Sequence, residues 1–194
     1  MALFPFFVNI EGARGLIIGT GKHAEEKIQR LQPYGPCLTI IPEGKFKESD
    51  LEPVPAFVIA AGDDREENHR ISALCRERRI PVNVVDDQEY CDFIFPSLIS
   101  HGNLSVGICT NGASPAAGVL LKRKIEEQIP ENMEEILNFL QEVRPVIAKT
   151  LTDKKQRFTF YYELAEICMA ENRVLKEEEF RRRLLWHAQS AKKN

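Results

Sequence analysis

Chemistry in this chain concentrates where short apolar runs end. Leu16-Ile17-Ile18 leads into Gly19-Thr20-Gly21-Lys22-His23-Ala24. That is a G-x-G-x-x-A turn between a strand and a helix. The first glycine permits the tight turn, the second lets a pyrophosphate approach the backbone, and the small Ala24 lets helix pack on strand. Unpaired N–H groups at the helix N-terminus then hold the anion. The expected dinucleotide-binding residues here are Gly19, Thr20, Gly21, Lys22, His23 and Ala24; a purely structural turn is the competing reading. A second apolar run ends at Ile41-Pro42-Glu43. A carboxylate there accepts hydrogen bonds from a ribose 2′-hydroxyl and repels a 2′-phosphate, so Glu43 leans toward NAD over NADP. Lys45 and Lys47 follow closely and lean the other way, and the stretch reads equally well as a solvated loop. The third run ends at Ala60-Ala61-Gly62-Asp63-Asp64, where Ala61, Gly62 and Asp63 would let a cofactor cross the carboxyl edge of a sheet. The fourth, Val82–Val85, is followed directly by Asp86. A carboxylate at that edge can accept a proton while a nicotinamide accepts a hydride, or order the substrate. Its competing role is to cap the next turn. Asp87, adjacent, points elsewhere and ranks lower.

These positions require a βαβ framework. Leu16–Ile18, Leu38–Ile41, Phe57–Ala60 and Val82–Val85 each read as a strand buried on both faces. Residues 22–32 and 66–79 read as the helices between them, which implies a Rossmann-like, mostly parallel sheet. Phe95–Ser100 and Leu104–Cys109 flank His101-Gly102-Asn103 as a hairpin. Beyond Gly112 the pattern is helical. Residues 115–129 carry a Leu120, Leu121, Ile125, Ile129 stripe, and residues 131–149 should kink or end near Pro145. Residues 153–170 carry Phe158, Tyr161, Tyr162, Ala165 and Cys168, and residues 176–189 follow. The expected division is a dinucleotide-binding domain with hairpin over 1–112 and a helical region over 113–194. Each stripe reads first as core. So apolar an appendage must pack on something, and a partner subunit is a common answer. Ser114 with Pro115 begins the first of these helices as N-cap and first residue. The exposed N–H groups at that end attract carboxylates. Lys122, Arg123 and Lys124 lie farther along it, mainly as a solvated face.

Composition excludes several classes. The chain has 194 residues, 43% hydrophobic and 28% charged, with a formal net charge of -3. An acidic balance argues against a general nucleic-acid binder. The sequence holds no apolar run long enough to span a bilayer, and its start lacks the pattern of a signal peptide. The five cysteines, Cys37, Cys75, Cys91, Cys109 and Cys168, form no CxxC pair. Odd and dispersed, they fit neither a disulfide framework nor a zinc site, which points to a reducing, cytoplasmic setting. None of the four histidines forms an H-x-x-H pair, so no permanent metal site is expected.

Five segments occur in order: Gly19-x-Gly21-x-x-Ala24-x-x-Lys27, Ala60-Ala61-x-Asp63-Asp64, Asn83-Val84-Val85-Asp86, Phe93-x-x-Pro96-Ser97 and Gly112-x-Ser114-Pro115. Together they resemble precorrin-2 dehydrogenase, the N-terminal half of siroheme synthase, over roughly residues 3–165, in its stand-alone form without a methyltransferase domain. The resemblance implies NAD-dependent oxidation of precorrin-2 to sirohydrochlorin. In some members it also implies iron insertion to make siroheme. It implies a homodimer joined through the helical region. It makes Asp86 the aspartate of dehydrogenation and, where chelation occurs, a transient metal ligand. It places Ser114, with Asn111, Gly112 and Ala113, against a tetrapyrrole bearing eight carboxylates. Two departures stand out. Residues 43–55 replace a longer segment that often holds a further helix, and Gly62 stands where threonine is common. They motivate the competing expectation of a non-catalytic dinucleotide- or tetrapyrrole-binding homologue, acting as a sensor or as a partner of another tetrapyrrole enzyme. A third expectation makes ferrochelatase activity the main role. A dehydrogenase of small hydroxy-acids would need a separate catalytic domain, for which the length leaves no room.

Overall fold

Four β-branched segments become four parallel strands: β1 (Arg14–Ile18), β2 (Cys37–Ile41), β3 (Phe57–Ala60) and β4 (Val82–Val84), in the order β2-β1-β3-β4. The chain is described here by a computed structural model, over residues 3–190. Period-2 alternation sorts the strand side chains onto two covered faces. Leu16, Ile18, Val58, Ala60, Val82 and Val84 face α2 (Arg65–Glu77) through Ile71 and Cys75. Ile17, Phe57, Ile59 and Ala61 pack with Ala24, Ile28 and Leu31 of α1 (Lys22–Leu31). The expectation of burial on both faces fails for β2, where Cys37, Thr39 and Ile40 are exposed. As an edge strand it has only β1 for a neighbour.

The short segment after β2 covers that end of the sheet without a helix. A 3₁₀ turn over Glu48–Leu51 buries Leu51, and Phe46 joins it in the core with Ile18 and Ile41. Arg14 anchors the segment from β1 by donating to the carbonyls of Asp50 and Pro53. Two apolar side chains on a braced loop thus do the covering work of a helix face.

The chain divides into two compact units, Met1–Phe95 and Pro96–Asn194. The division expected after residue 112 therefore falls earlier. The hairpin of β5 (Ser97–His101) and β6 (Leu104–Ile108) packs on α3 (Pro115–Glu126) and α4 (Met133–Glu142), so it groups with the helices. Ser114 caps α3, its Oγ accepting from Ala117 N at 3.1 Å. The expected break near Pro145 separates α4 from α5 (Arg144–Thr150), with proline in the first turn of α5. α6 (Lys154–Glu171) and α7 (Glu177–Ser190) complete a core of Ile136, Ile147, Leu151, Phe160, Leu164, Cys168, Phe180 and Leu184.

Parts of two stripes read as core lie at the surface instead, although Cys168 of the second is fully buried. Leu120, Leu121 and Ile125 of α3 are exposed, and so are Phe158 and Tyr162 of α6. α6 carries apolar residues on two faces, and among the described residues of its unit the Phe160, Leu164, Cys168 face is the covered one, with Tyr161 and Ile167 at its margin.

The start of α7 is held electrostatically. Glu179 accepts from Lys176 N at 2.9 Å and from both terminal nitrogens of Arg173 at 2.9 and 3.1 Å. The Arg173 guanidinium, with the Lys176 amide, lowers the Glu179 carboxyl to about 2. A folded pKa below the unfolded value contributes stability above the unfolded pKa, which is lost as pH falls through the folded one. Glu179→Gln is therefore expected to lower the thermal midpoint at pH 7. The gap to wild type should close as pH is taken from 5 toward 2, as thermal melts across that range will test.

Candidate functional site

The strand order reverses between β1 and β3, and ligands of open α/β sheets bind outside the carboxyl ends at such a point. Both strands end in small residues there. Gly19 leaves β1 with φ +122°, and a Cβ added to it would stand 2.5 Å from the carbonyl oxygen of Ala61. Gly19 N donates to Ile41 O at 2.9 Å, and Ala61 N donates to Ile18 O at 2.8 Å. The first glycine of the motif is thus demanded by the backbone of the third strand's exit.

Gly21 is different. It is the N-cap of α1 with no side-chain cap, and nothing lies within 4 Å of a Cβ built on it. The first backbone bond of α1 runs from Glu25 N to Gly21 O. The preceding N–H groups, of Lys22, His23 and Ala24, therefore have no intrahelical partner. An uncapped helix start beside open space fits a dinucleotide pyrophosphate. Thr20, Lys22 and His23 are exposed at this rim, whereas Ala24 is fully buried among Ile17 and Ile59 and serves packing.

Glu43 does not stand free as a ribose acceptor. Its Oε1 accepts from Asp63 N at 2.6 Å and Asp64 N at 3.0 Å, tying the exits of β2 and β3 together. Gly62 is clamped by Asn68, whose Nδ2 donates to Gly62 O at 2.7 Å and whose Oδ1 accepts from Gly62 N at 3.3 Å. A Cβ at position 62 would lie 3.0 Å from Glu43 Oε1. The carboxylate of Glu43 therefore fills the space that a threonine at 62 would enter. Asp64 caps α2 by accepting from Glu66 N and Glu67 N. Asp63 is exposed.

At the end of β4, Val85 N donates to Ala60 O at 3.0 Å, and the next residue turns outward. Asp86 has φ +60°, a left-handed conformation that aspartate tolerates better than most residues. Its side chain is 81% exposed, and its Oδ2 lies 3.9 Å from His23 Nε2. The edge thus brings together two sets: Gly19 with Ala61, Gly62, Glu43 and Asp63, and His23 with Asp86. Asn111, Gly112, Ala113 and Ser114 belong to the second unit. Asn111 and Gly112 both take positive φ, Ala113 N donates to Thr110 O, and Thr110 Oγ1 donates to Ser114 O at 3.1 Å.

Reading the sequence alone missed Asn68 and the row Arg65, His69, Ser72, Arg76 on α2. The spacing of that row, 4-3-4, is a helical stripe of polar residues beside the apolar one. Among the described residues, no group of histidine, cysteine and carboxylate side chains could hold a metal ion. No helix in that range is long and apolar enough to cross a membrane.

Residues 6–97 match a family described as "Putative NAD(P)-binding". Siroheme synthase of Thioalkalivibrio sulfidiphilus is 31% identical over 186 residues, covering 86% of this chain and 38% of that protein. Siroheme synthase of Ectopseudomonas mendocina is 32% identical over 202 residues, covering 95% and 44%. The chain spans between 32% and 44% of the length of the curated relatives it matches. A solved structure titled "SirC, precorrin-2 dehydrogenase" shares the fold, with a TM-score of 0.69 at 20% identity over 96% of this chain and all of that one. The chain that carries the glycine turn, the Asp86 exit and the hairpin-helix unit is thus similar to siroheme synthases along most of its own length and shares the fold of the SirC structure.

Proposed function

We propose that this chain is an NAD-dependent precorrin-2 dehydrogenase, producing sirohydrochlorin for siroheme synthesis. The observation that carries the reading is the outward, left-handed Asp86, 3.9 Å from a histidine of the uncapped helix start. It sets a carboxylate beside a helix start whose free N–H groups suit an anion. NAD, when bound, supplies the acceptor for a hydride. Gly19 would hold the turn, Gly21 would leave room for its pyrophosphate, and the N–H groups of Lys22, His23 and Ala24 would bind that anion. Glu43 keeps a carboxylate at the β2 exit, where a 2′-phosphate would be repelled, which favours NAD over NADP. Asp86 accepts the proton that leaves precorrin-2 with the hydride, at a carboxylate oxygen. In the second unit, the Asn111–Ser114 turn is assigned to substrate carboxylates.

The exposed Leu120, Leu121, Ile125, Phe158 and Tyr162 support a homodimer through the helices, since large exposed apolar stripes mark association sites. Two exposed and three buried cysteines, all unpaired, fit a reducing cytoplasm. Where sirohydrochlorin chelation occurs, Asp86 is the accessible carboxylate for the incoming metal.

Purified protein with precorrin-2 and NAD is the test. NADH absorbance rising over many turnovers is the expected result. Saturable binding of both compounds without NADH would establish a binding homologue in its place. Metal uptake by sirohydrochlorin, measured against the spontaneous rate, decides the chelatase question.

A further inference from the structure

Two successive carboxylates at the end of β4 have opposite fates. The Asp86 side chain is 81% exposed and that of Asp87 is 13% exposed. We propose that Asp87 is a positioning residue for Asp86, held by a row of side chains on α2. The inference rests on the proton-accepting role assigned to Asp86 above.

The row is Arg65, His69, Ser72 and Arg76. His69 Nε2 donates to Asp87 Oδ2 at 2.7 Å, a tautomer fixed by the carboxylate being acceptor only. Arg65 donates to the same oxygen through a terminal nitrogen at 2.8 Å and Nε at 3.1 Å. The His69 hydrogen bond and the Arg65 guanidinium together hold the Asp87 carboxyl below its ordinary value. Tyr90 stacks on the His69 imidazole, with centroids 3.6 Å apart and planes 7° from parallel. Ser72 Oγ donates to Tyr90 O at 2.8 Å. Arg76 reaches Glu89 O at 3.1 Å and Asp92 Oδ1 at 3.1 Å. From beneath, the buried Cys91 Sγ accepts from Val84 N at 3.2 Å, and Asp92 N donates to Val82 O at 2.7 Å.

Every one of these bonds lands on Val82, Val84 or residues 87–92, and none uses the Asp86 carboxylate. A residue at positive φ is strained relative to the common regions, and it persists only where its neighbours over-determine it. Residue 85 is fixed to β3 through Ala60, and residue 87 to α2. Asp86 between them has one conformation left. Such a support holds a reacting group within tenths of an ångström, and a displacement of 1 Å can cost about 10²-fold in rate.

The experiment compares Asp87→Ala, Asp87→Asn and Arg65→Ala in the full chain. Asp87→Ala is expected to lower kcat for precorrin-2 roughly 10- to 100-fold with NAD affinity within about twofold of wild type. Asp87→Asn, which keeps an acceptor oxygen, should recover most of that loss. Arg65→Ala, whose side chain is largely exposed, should show a smaller loss of the same kind even if Asp87→Ala folds poorly. Backbone hydrogen exchange gives a readout independent of turnover. The amides of Val85 and Asp87 should exchange faster in the variants, while that of Ala61, bonded to Ile18, should not. Unchanged exchange at 85 and 87 would overturn the holding role whatever the kinetics. Faster exchange with unchanged kcat would sever it from catalysis. A wild type that forms no NADH would sink the dehydrogenase reading instead, and exchange would still decide whether Asp87 holds the turn.

Discussion

Asp86→Asn is expected to abolish most turnover of precorrin-2, by roughly 10²- to 10⁴-fold in kcat, while NAD still binds. Asparagine is the informative replacement because it keeps the shape of aspartate and tolerates the left-handed φ of +60° found there. What it removes is basicity. Asp86→Ala should be equally slow, but alanine adds about 1 kcal/mol of backbone strain at this position, so its thermal midpoint should fall somewhat further. Because the side chain is 81% exposed and approaches His23 Nε2 only at 3.9 Å, the fold loses little in either variant. Steady-state NADH production and NAD binding, measured on the same samples, separate the two roles. Turnover close to wild type in Asp86→Asn would remove the carboxylate from the chemistry.

The parallel sheet was legible because buried strands and helices differ in period and in β-branched content. Val58-Ile59 and Leu16-Ile17-Ile18 have no other reading between glycine-rich turns. The reach of Asp86 was legible from its place directly after a buried strand. What stayed hidden depends on contacts distant in sequence. Nothing in the order of residues shows that Glu43 closes onto the amides of Asp63 and Asp64, twenty positions away, or that it thereby fills the space beside Gly62. The absent threonine and the engaged glutamate are one structural fact, and a list of departures from a pattern separates them. The same holds for α2, where the apolar stripe was visible and the polar stripe beside it reads as solvated until the 87–92 turn is placed against it. Stripes on α3 and α6 mislead for the opposite reason. Periodicity reports that a face is apolar, and Leu120 and Phe158 show that it does not report whether the same unit covers that face.

The two glycines of the turn make the sharpest contrast the site offers. Gly19→Ala is expected to damage fold and cofactor binding together. Its Cβ would meet the Ala61 carbonyl oxygen at 2.5 Å, its carbon at 2.7 Å and Gly62 N at 2.9 Å, all backbone atoms that cannot swing aside. Its φ of +122° is closed to alanine as well. Either the exits of β1 and β3 part, losing the bond from Ala61 N to Ile18 O, or the turn is rebuilt. Each route costs on the order of 2–4 kcal/mol, in the range of severe single substitutions. Gly21→Ala meets nothing within 4 Å and keeps an ordinary φ of −76°. Its thermal midpoint should stay within the scatter of neutral surface changes, yet its NAD affinity should fall tenfold or more, about 1.4 kcal/mol, because the added methyl occupies the pyrophosphate's approach. Melting curves and NAD titrations of both variants decide it. If Gly21→Ala binds NAD as tightly as wild type, the cofactor does not lie over this turn, and the open space beside the uncapped start of α1 has another use.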